Sequence, residues 1–223
     1  MLIILAIVVV AVLVFLLYVS SLVGKIKRGE LNPYFSKSYT GQATSGEKST
    51  YEISTLGDPY LGPEDAKLVL VEFGDFKCSH TKAEFNVVRE LAATYPNDLK
   101  IVFKDFALLS DDSRTLAMAG ECANEQNKFW SLYDYFFINF DTLNVNNLEA
   151  IANNLGLDQN KFRICMNNNK YGSEIDSDIR DALSATVSGT PTFFLNGYKI
   201  EGAVPLQNFK DLIDKILLAT KQP

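Results

Sequence analysis

Residues 68–81 have the sequence LVLVEFGDFKCSHT, a buried-strand pattern followed by a cysteine at the start of a helical pattern. The run 68–73 is almost continuously apolar and ends at Gly74, which predicts a central strand covered on both faces. Beyond Cys78, apolar residues recur at the spacing of one helix face until Pro96. These apolar positions are Phe85, Val88, Ala92 and Tyr95. The sequence therefore predicts that Cys78 opens a helix directly after a buried strand.

The chain beyond this helix continues the order of strands and helices. A second strand predicted at 100–103 completes a βαβ unit. Residues 192–200, TFFLNGYKI, predict a hairpin with a type I′ turn at Asn196-Gly197. Between them the pattern is helical and is interrupted by Asn, Asp and Gly. The predicted helices are 113–125, 127–138, 146–155, 158–167 and 171–185.

A final helix is predicted after Pro205. Its apolar stripe consists of Leu206, Phe209, Leu212, Ile213 and Ile216. The order β-α-β, several helices and then β-β-α is that of an α/β thioredoxin-like fold with a helical insertion. We expect the helices of 110–170 to cap one end of the sheet near Cys78, and the aromatic run of 129–137 to be core.

Composition excludes several classes of protein. The chain has 223 residues, 47% hydrophobic and 22% charged, which indicates a folded protein rather than a disordered one. A net charge of −6 argues against a nucleic-acid-binding surface. With a single His, a multi-histidine metal site is excluded, and we expect neither a metal nor another cofactor. Three Cys form an odd set, which in an exported protein suggests one pair and one free thiol.

The N-terminus is strongly apolar. Residues 2–19 are all apolar and no charge appears before Lys25, which is long enough to span a hydrocarbon core of about 30 Å. We expect a transmembrane helix at 1–24, contacting the membrane through 2–24, and a flexible stalk at 25–50. The alternative is a cleaved signal peptide, but the basic n-region is missing and the apolar run is long for one.

Cys78 occupies a position that favours ionisation of its thiol. At a helix N-terminus the unpaired backbone N–H groups and the helix dipole favour the thiolate, and Lys77 and His80 add positive charge. The alternative is that Cys78 is a small buried hydrophobe and that His80 has no role. Glu72 and Asp75, near the strand end, either move protons for Cys78 or are ordinary strand-end carboxylates.

Several short motifs occur together in this chain. They are LGPEDA at 61–66, VEFGDFKC at 71–78, FKDF at 103–106, ECA at 121–123, QNKFW at 126–130 and GTPTFFLNG at 189–197. In this combination the chain resembles the DsbA-like family of thioredoxin-fold thiol–disulfide oxidoreductases. The resemblance covers residues 51–220 and implies a helical insertion at about 108–170.

The resemblance also implies roles for individual residues. Cys78 matches the nucleophile of the family. Pro191 matches a cis-proline that packs against the active site, and Thr190 matches the residue that pairs through its backbone with substrate.

The motif at Cys78 departs from the family pattern. The family has Cys-Pro-x-Cys, whereas here Ser79 replaces Pro and Thr81 replaces the second Cys. Cys78 can therefore attack a disulfide, but no second thiol of the motif can release the mixed disulfide. We expect single-thiol exchange or isomerase-like activity, with Cys78, His80, Thr81 and Pro191 catalytic and with Ser79 and Thr190 at the substrate. The alternative is a degenerate chaperone or binding module.

The family resemblance also sets expectations for the other two cysteines and for location. Cys122 and Cys165 are expected to form a stabilising disulfide, the alternative being two buried thiols. A disulfide-exchanging domain is expected outside the cytoplasm, although Lys25, Lys27 and Arg28 after the apolar run favour the opposite orientation. The expected partners are Cys-containing exported proteins or a small thiol, with a membrane or thioredoxin-like redox partner as a further candidate.

Overall fold

The structure, a computed structural model, describes residues 50–220. The predicted membrane segment at 1–24 and all of the predicted stalk except Thr50 lie outside the described residues. Within residues 50–220, no helix is both long and apolar enough to cross a membrane.

A five-stranded mixed sheet forms the centre of the domain. Its spatial order is β1-β3-β2-β4-β5, with β2 and β3 parallel and the other neighbours antiparallel. The strands are β1 (Tyr60–Leu61), β2 (Leu68–Gly74), β3 (Leu99–Asp105), β4 (Thr192–Leu195) and β5 (Tyr198–Glu201). The structure contains the predicted βαβ unit and hairpin, whereas the two-residue β1 was not predicted.

Seven helices surround the sheet in the described part of the chain. They are α1 (Ser79–Thr94), α2 (Asp111–Asn124), α3 (Phe129–Ile138), α4 (Leu148–Asn154), α5 (Gln159–Asn167), α6 (Gly172–Ser184) and α7 (Leu206–Thr220). Each predicted helix is found with ends shifted by a few residues, the usual uncertainty of helix boundaries.

Alternation along β2 assigns its two faces. Leu68 and Leu70 pack with apolar residues of α1 and α7, while Val71 and Phe73 face the opposite layer, which includes α6. Both faces are covered, which explains why the strand is apolar almost throughout. On α7, Phe209 and Ile213 are buried as predicted, but Leu212 stays exposed because it lies at the edge of the stripe.

The β4–β5 turn has the predicted geometry. Asn196 and Gly197 both have positive φ, 47° and 82°, as a type I′ turn requires. A side chain at Gly197 would also lie 2.6 Å from the carbonyl oxygen of Tyr51, whose N–H donates to the Gly197 carbonyl at 2.9 Å. The turn thus fastens the start of the described chain to the sheet.

The helices between β3 and β4 form a cap with its own apolar core. Phe129, Tyr133, Phe136 and Phe137 of α3 are buried around Phe76, which follows β2. Trp130 and Tyr135 of the same run are only partly buried. The cap therefore packs on the loop that leads to Cys78.

A disulfide joins two helices of the cap. Cys122 of α2 and Cys165 of α5 are bonded, with Cα atoms 5.8 Å apart. Both side chains are buried. This is the pairing that the resemblance implied, and it leaves Cys78 as the free thiol.

Candidate active site

Cys78 lies where β2 passes into α1. Its N–H donates to the carbonyl of Asp75 at 3.0 Å, and its extended backbone (φ −85°, ψ 120°) makes it the N-cap of α1. The side chain is 8% exposed, and its S–H donates to the carbonyl oxygen of Thr190 at 3.2 Å. The thiol therefore reaches the surface only at its edge, at the start of a helix.

Asp75 fixes the loop that carries Cys78. One carboxylate oxygen accepts the N–H of Lys77 at 2.8 Å, and the other accepts the N–H of Leu109 at 3.2 Å. Leu109 belongs to the loop between β3 and α2. A single buried carboxylate thus ties the cysteine loop to the base of the cap, a more specific role than that of an ordinary strand-end acid.

The segment before β4 forms the other wall of the site. The Thr190–Pro191 peptide bond is cis, as expected. Pro191 is buried and Thr190 is half-buried. The hydroxyl of Thr192 donates to the carbonyl of Gly189 at 2.7 Å, which holds the turn in place. Folding therefore brings Thr190 to Cys78 from 112 residues away.

The remaining motif residues occupy different environments. Ser79 and His80 are exposed, and neither side chain forms a hydrogen bond with the described residues. Lys77 is partly exposed and pairs loosely with Asp112, Nζ to Oδ2 3.9 Å. Ser79 and His80 are thus available to solvent or to a bound partner.

Thr81 points into the protein rather than toward solvent. It is fully buried, and its Oγ1 has no hydrogen-bond partner within residues 50–220. Gly74 allows this packing, since a Cβ there would lie 3.2 Å from the Thr81 methyl group and would clash with the ring of Phe103.

A buried acid lies on the α1 face of β2. Glu72 is fully buried, and one of its oxygens accepts the hydroxyl of Tyr133 at 3.2 Å, while its Oε1 has no partner in the described chain. Burial raises the pKa of Glu72 to about 8; the Tyr133 hydrogen bond opposes the shift and the charge of Glu84 adds to it. Burial also raises the pKa of Glu84, against a hydrogen bond from the backbone of Val204.

Glu84 and Tyr133 were not singled out from the sequence. Glu84 follows Thr81 by three residues, on the face of α1 that is otherwise apolar. A charged residue at that spacing was the available signal. No sequence signal was available for the hydrogen bond from Tyr133, because it joins residues 61 positions apart.

A second group of charges lies on the opposite face of the sheet. Lys104 of β3 contacts Asp178 at 2.7 Å, Asp58 at 3.0 Å and Asp181 at 3.2 Å. Burial raises the pKa of Asp58 to about 7, with Asp178 adding and Lys104 opposing. No three His, Cys, Asp or Glu side chains within 50–220 are arranged to hold a metal ion. Sequence reasoning missed this cluster.

A cavity beside the sheet lies away from Cys78. It has a volume of about 650 Å³ and is bounded by the first described residues and the sheet, including Tyr51, Val69 and Phe194. None of its lining residues belongs to the Cys78 loop or to the Thr190 turn. The thiol is thus presented at a surface rather than in a deep pocket.

Comparison with known families identifies this arrangement. The family model described as Thioredoxin matches residues 54–215, well over half of the chain. The chain belongs to the thioredoxin family. In this thioredoxin-family domain, the N-cap cysteine that follows the buried strand contacts the turn that contains the cis-proline, as the resemblance implied.

Curated relatives are much longer proteins. The chain is 29% identical over 166 residues to Na(+)/H(+) antiporter NhaA 1 of Salinispora arenicola, covering 74% of this chain and 25% of the antiporter. It is 33% identical over 147 residues to Na(+)/H(+) antiporter NhaA 3 of Salinispora tropica, covering 65% of this chain and 22% of the relative. The chain thus spans about a quarter of the length of these relatives.

Solved structures share the fold. BdbD from Bacillus subtilis aligns with a TM-score of 0.67 at 23% identity, covering 74% of this chain and 96% of that protein. The thiol–disulfide exchange protein α-DsbA2 from Wolbachia pipientis aligns with a TM-score of 0.64 at 22% identity, covering 72% and 88%. The catalytic domain of Proteus mirabilis ScsC aligns with a TM-score of 0.63 at 19% identity, covering 71% and 88%. These likenesses confirm a DsbA-like thioredoxin fold.

Proposed function

We propose that this chain is a membrane-anchored protein whose folded domain lies outside the cytoplasm and exchanges thiols and disulfides through Cys78 alone. The observation that carries the proposal is a free thiol at the N-cap of α1, 3.2 Å from the carbonyl oxygen of Thr190. The helix N-terminus stabilises the thiolate, which is the nucleophile in disulfide exchange. The folds of a thiol–disulfide exchange protein and of BdbD support the same reaction class.

The exchange proceeds in two balanced steps. The Cys78 thiolate attacks one sulfur of a partner's disulfide, so that a new S–S bond forms, the old one breaks, and the leaving sulfur takes a proton from water. Thr81 has a hydroxyl where a resolving thiol is needed. An external thiolate, from a small thiol or a Cys-containing protein, therefore attacks the partner's sulfur and releases Cys78 as thiolate. The net reaction is disulfide interchange without net oxidation.

The exposed parts of the motif are suited to receive the partner. Ser79 and His80 flank Cys78 on the solvent side, and the half-buried Thr190 presents its backbone on the other. Pro191, which follows Thr190, is buried. A Cys-containing polypeptide lying across the loop would contact all three surface residues.

The proposed anchoring and location rest on the sequence and on the relatives. The uncharged run before Lys25 is long enough to span a bilayer. The curated relatives are named as Na(+)/H(+) antiporters, so this type of domain is found within transport proteins. A disulfide such as Cys122–Cys165 persists in an oxidising compartment. Protease added to intact cells should remove the domain, and protection until lysis would reverse the assignment.

The exchange reaction is tested with a peptide disulfide in the presence and absence of glutathione. Wild type should form a trapped mixed disulfide alone and turn over only when glutathione is added. Cys78→Ser should abolish both, and Thr81→Cys should release one equivalent of reduced peptide without glutathione, because the introduced thiol resolves the mixed disulfide and ends in a disulfide with Cys78. Absence of exchange by wild type with glutathione present would refute the proposal.

One observation favours a second function, the holding of unfolded chains without exchange. Leu108 and Leu109 are 57% and 62% exposed in the loop that Asp75 ties to the cysteine loop. Adjacent exposed apolar side chains are suited to bind apolar segments. Under this alternative, Cys78→Ser binds unfolded protein as well as wild type, while Leu108→Ser with Leu109→Ser does not.

A further inference from the structure

Thr81 has an unused hydrogen-bond donor beside the reactive cysteine. Its side chain is fully buried, and Oγ1 has no partner within residues 50–220. A buried hydroxyl without a partner is costly and calls for an explanation. Thr81 is the third residue of α1, whose N-cap is Cys78, and side chains at these two positions can reach each other's end of the helix turn.

The bonding of Cys78 must change when it loses its proton. The thiol donates to the carbonyl oxygen of Thr190 at 3.2 Å. A thiolate has no proton to donate, so at the same position two negative atoms would face each other. The ionised sulfur therefore needs donors on another side.

The start of α1 supplies such donors. A side chain at the N-cap can accept from the backbone N–H of the second or third helical residue, here His80 or Thr81. The side chain of the third helical residue can in turn reach back to the N-cap. In this structure Cys78 makes no such capping bond, and Thr81 is the third residue.

We infer that the Thr81 hydroxyl donates a hydrogen bond to the Cys78 thiolate, which turns from Thr190 toward the start of α1. The inference rests on the proposed function only in taking Cys78 as the reacting thiol. Thr81 is then a catalytic residue that stabilises the nucleophile, in addition to being unable to resolve the mixed disulfide.

Other groups around the sulfur do not offer the same bond. Lys77 is directed to Asp112 at 3.9 Å, and His80 is exposed. Asp75 is an acceptor whose two oxygens are already bonded to backbone N–H groups. Glu72 Oε1 also lacks a partner, but the hydroxyl of Thr81 is not bonded to it. The Thr81 hydroxyl thus remains free to bond to the sulfur.

The test compares two substitutions, each of which removes a different part of the threonine side chain. Thr81→Val keeps the shape and removes the hydroxyl, while Thr81→Ser keeps the hydroxyl and removes the methyl group. The readout is the rate of iodoacetamide alkylation of Cys78 as a function of pH, with thiolate absorbance as a second measurement. Alkylation needs no exchange partner, so it reports on the inference even if the proposed exchange activity fails.

We expect Thr81→Val to move the rate profile about one pH unit upward and so to slow alkylation about tenfold on its rising limb, as the loss of one hydrogen bond to a charged group predicts. Thr81→Ser should restore the rate to within about threefold of wild type. Thr115→Val is the matched control, because it removes a helical threonine hydroxyl that bonds to the Asp111 carbonyl on α2. Its alkylation profile should match that of wild type.

A stability measurement separates this role from a structural one. Removing a buried hydroxyl that has no partner should not lower the free energy of unfolding, so Thr81→Val should unfold at the same urea concentration as wild type or higher. Should Thr81→Val misfold, Thr81→Ala removes the same donor and should show the same slow alkylation. Alkylation of the folded Thr81→Val or Thr81→Ala protein at the wild-type rate and pH profile would overturn the inference.

Discussion

Two buried acidic regions lie on opposite faces of the same pair of strands. On the α1 face, Glu72 of β2 is bonded to Tyr133 and has no cation in contact among the described residues. On the α6 face, Lys104 of β3 is bonded to Asp58, Asp178 and Asp181. Among the described residues, one region holds Glu72 with Glu84 nearby and no counter-charge in contact with Glu72, and the other holds three acids around one buried lysine.

The difference shows two ways of tolerating a buried carboxyl group. Burial raises the pKa of Glu72 to about 8, so at neutral pH this acid is largely protonated and uncharged. Around Lys104 burial disfavours the lysine charge, but Asp178 and Asp58 more than compensate and raise the pKa of Lys104, while burial raises the pKa of Asp58 to about 7. The first region therefore tolerates its acid by protonation, and the second depends on the charge of one lysine.

The largest expected effect comes from removing that residue. Lys104→Met keeps the apolar stem and leaves the carboxylates of Asp58 and Asp178 buried without a cation. Breaking a buried ion pair from one side costs about 3–5 kcal/mol. We expect a loss of this size in the free energy of unfolding at pH 7, measured by urea denaturation.

A partly exposed lysine provides the matched control. Lys210 pairs with Glu90 at 2.8 Å, and the glutamate is half exposed. Lys210→Met should change the free energy of unfolding by less than about 1 kcal/mol, as expected for surface pairs. Equal losses for Lys104→Met and Lys210→Met would show that burial does not distinguish the two pairs.

The second expected effect is a pH dependence at Glu72. Because its pKa is raised in the folded state, the folded protein binds this proton more tightly than the unfolded chain does. Its contribution to stability is therefore full below about pH 4.5 and is lost as pH rises to about 8. Glu72→Gln keeps the shape and the acceptor for Tyr133 but cannot ionise.

The measurement is the free energy of unfolding of both proteins from pH 5 to pH 9. Relative to wild type, Glu72→Gln should gain roughly 2–4 kcal/mol across this range. Glu121, whose pKa is raised to about 8 by burial and by Asp178, and Asp58 are present in both proteins, so their contributions cancel. A constant difference between the two proteins would mean that Glu72 is ionised throughout.

The sequence identified the elements that repeat an apolar pattern. The βαβ unit, the hairpin and the cap helices were all predicted, because alternation and helical spacing report directly on which side of an element is buried. The cysteine loop was also predicted, since Cys78 lies where a strand pattern gives way to a helical one. The Cys122–Cys165 pairing required the family resemblance in addition.

The two acidic regions show where such prediction stops. The second strand was predicted at 100–103, yet β3 continues through Asp105 with Lys104 buried. A charged residue indicates solvent exposure unless the tertiary structure surrounds it with opposite charges. The lack of a partner for Thr81 Oγ1 likewise depends on side chains from separate elements, and no local pattern reports it.

The smallest expected effect concerns the hydrogen bond that joins the cap to Glu72. Tyr133→Phe removes the hydroxyl that donates to Glu72 at 3.2 Å and changes little else in side-chain shape. We expect a loss of about 1 kcal/mol at pH 6, the typical value for a neutral hydrogen bond, and a larger loss at pH 9. The increase follows because the bond to an ionised carboxylate is the stronger one, and the same bond holds the pKa of Glu72 below the value that burial alone would give.

A double-mutant cycle with Glu72→Gln isolates the charge-dependent part of this bond from the packing of the Tyr133 ring. The coupling free energy should rise with pH, since the amide introduced by Glu72→Gln accepts a neutral hydrogen bond at every pH whereas the native carboxyl group gains a charge. If Tyr133→Phe costs the same in both backgrounds at pH 9, the hydroxyl does not donate to an ionised Glu72. The loss would then belong to the aromatic core of the cap and to a neutral hydrogen bond that either side chain accepts.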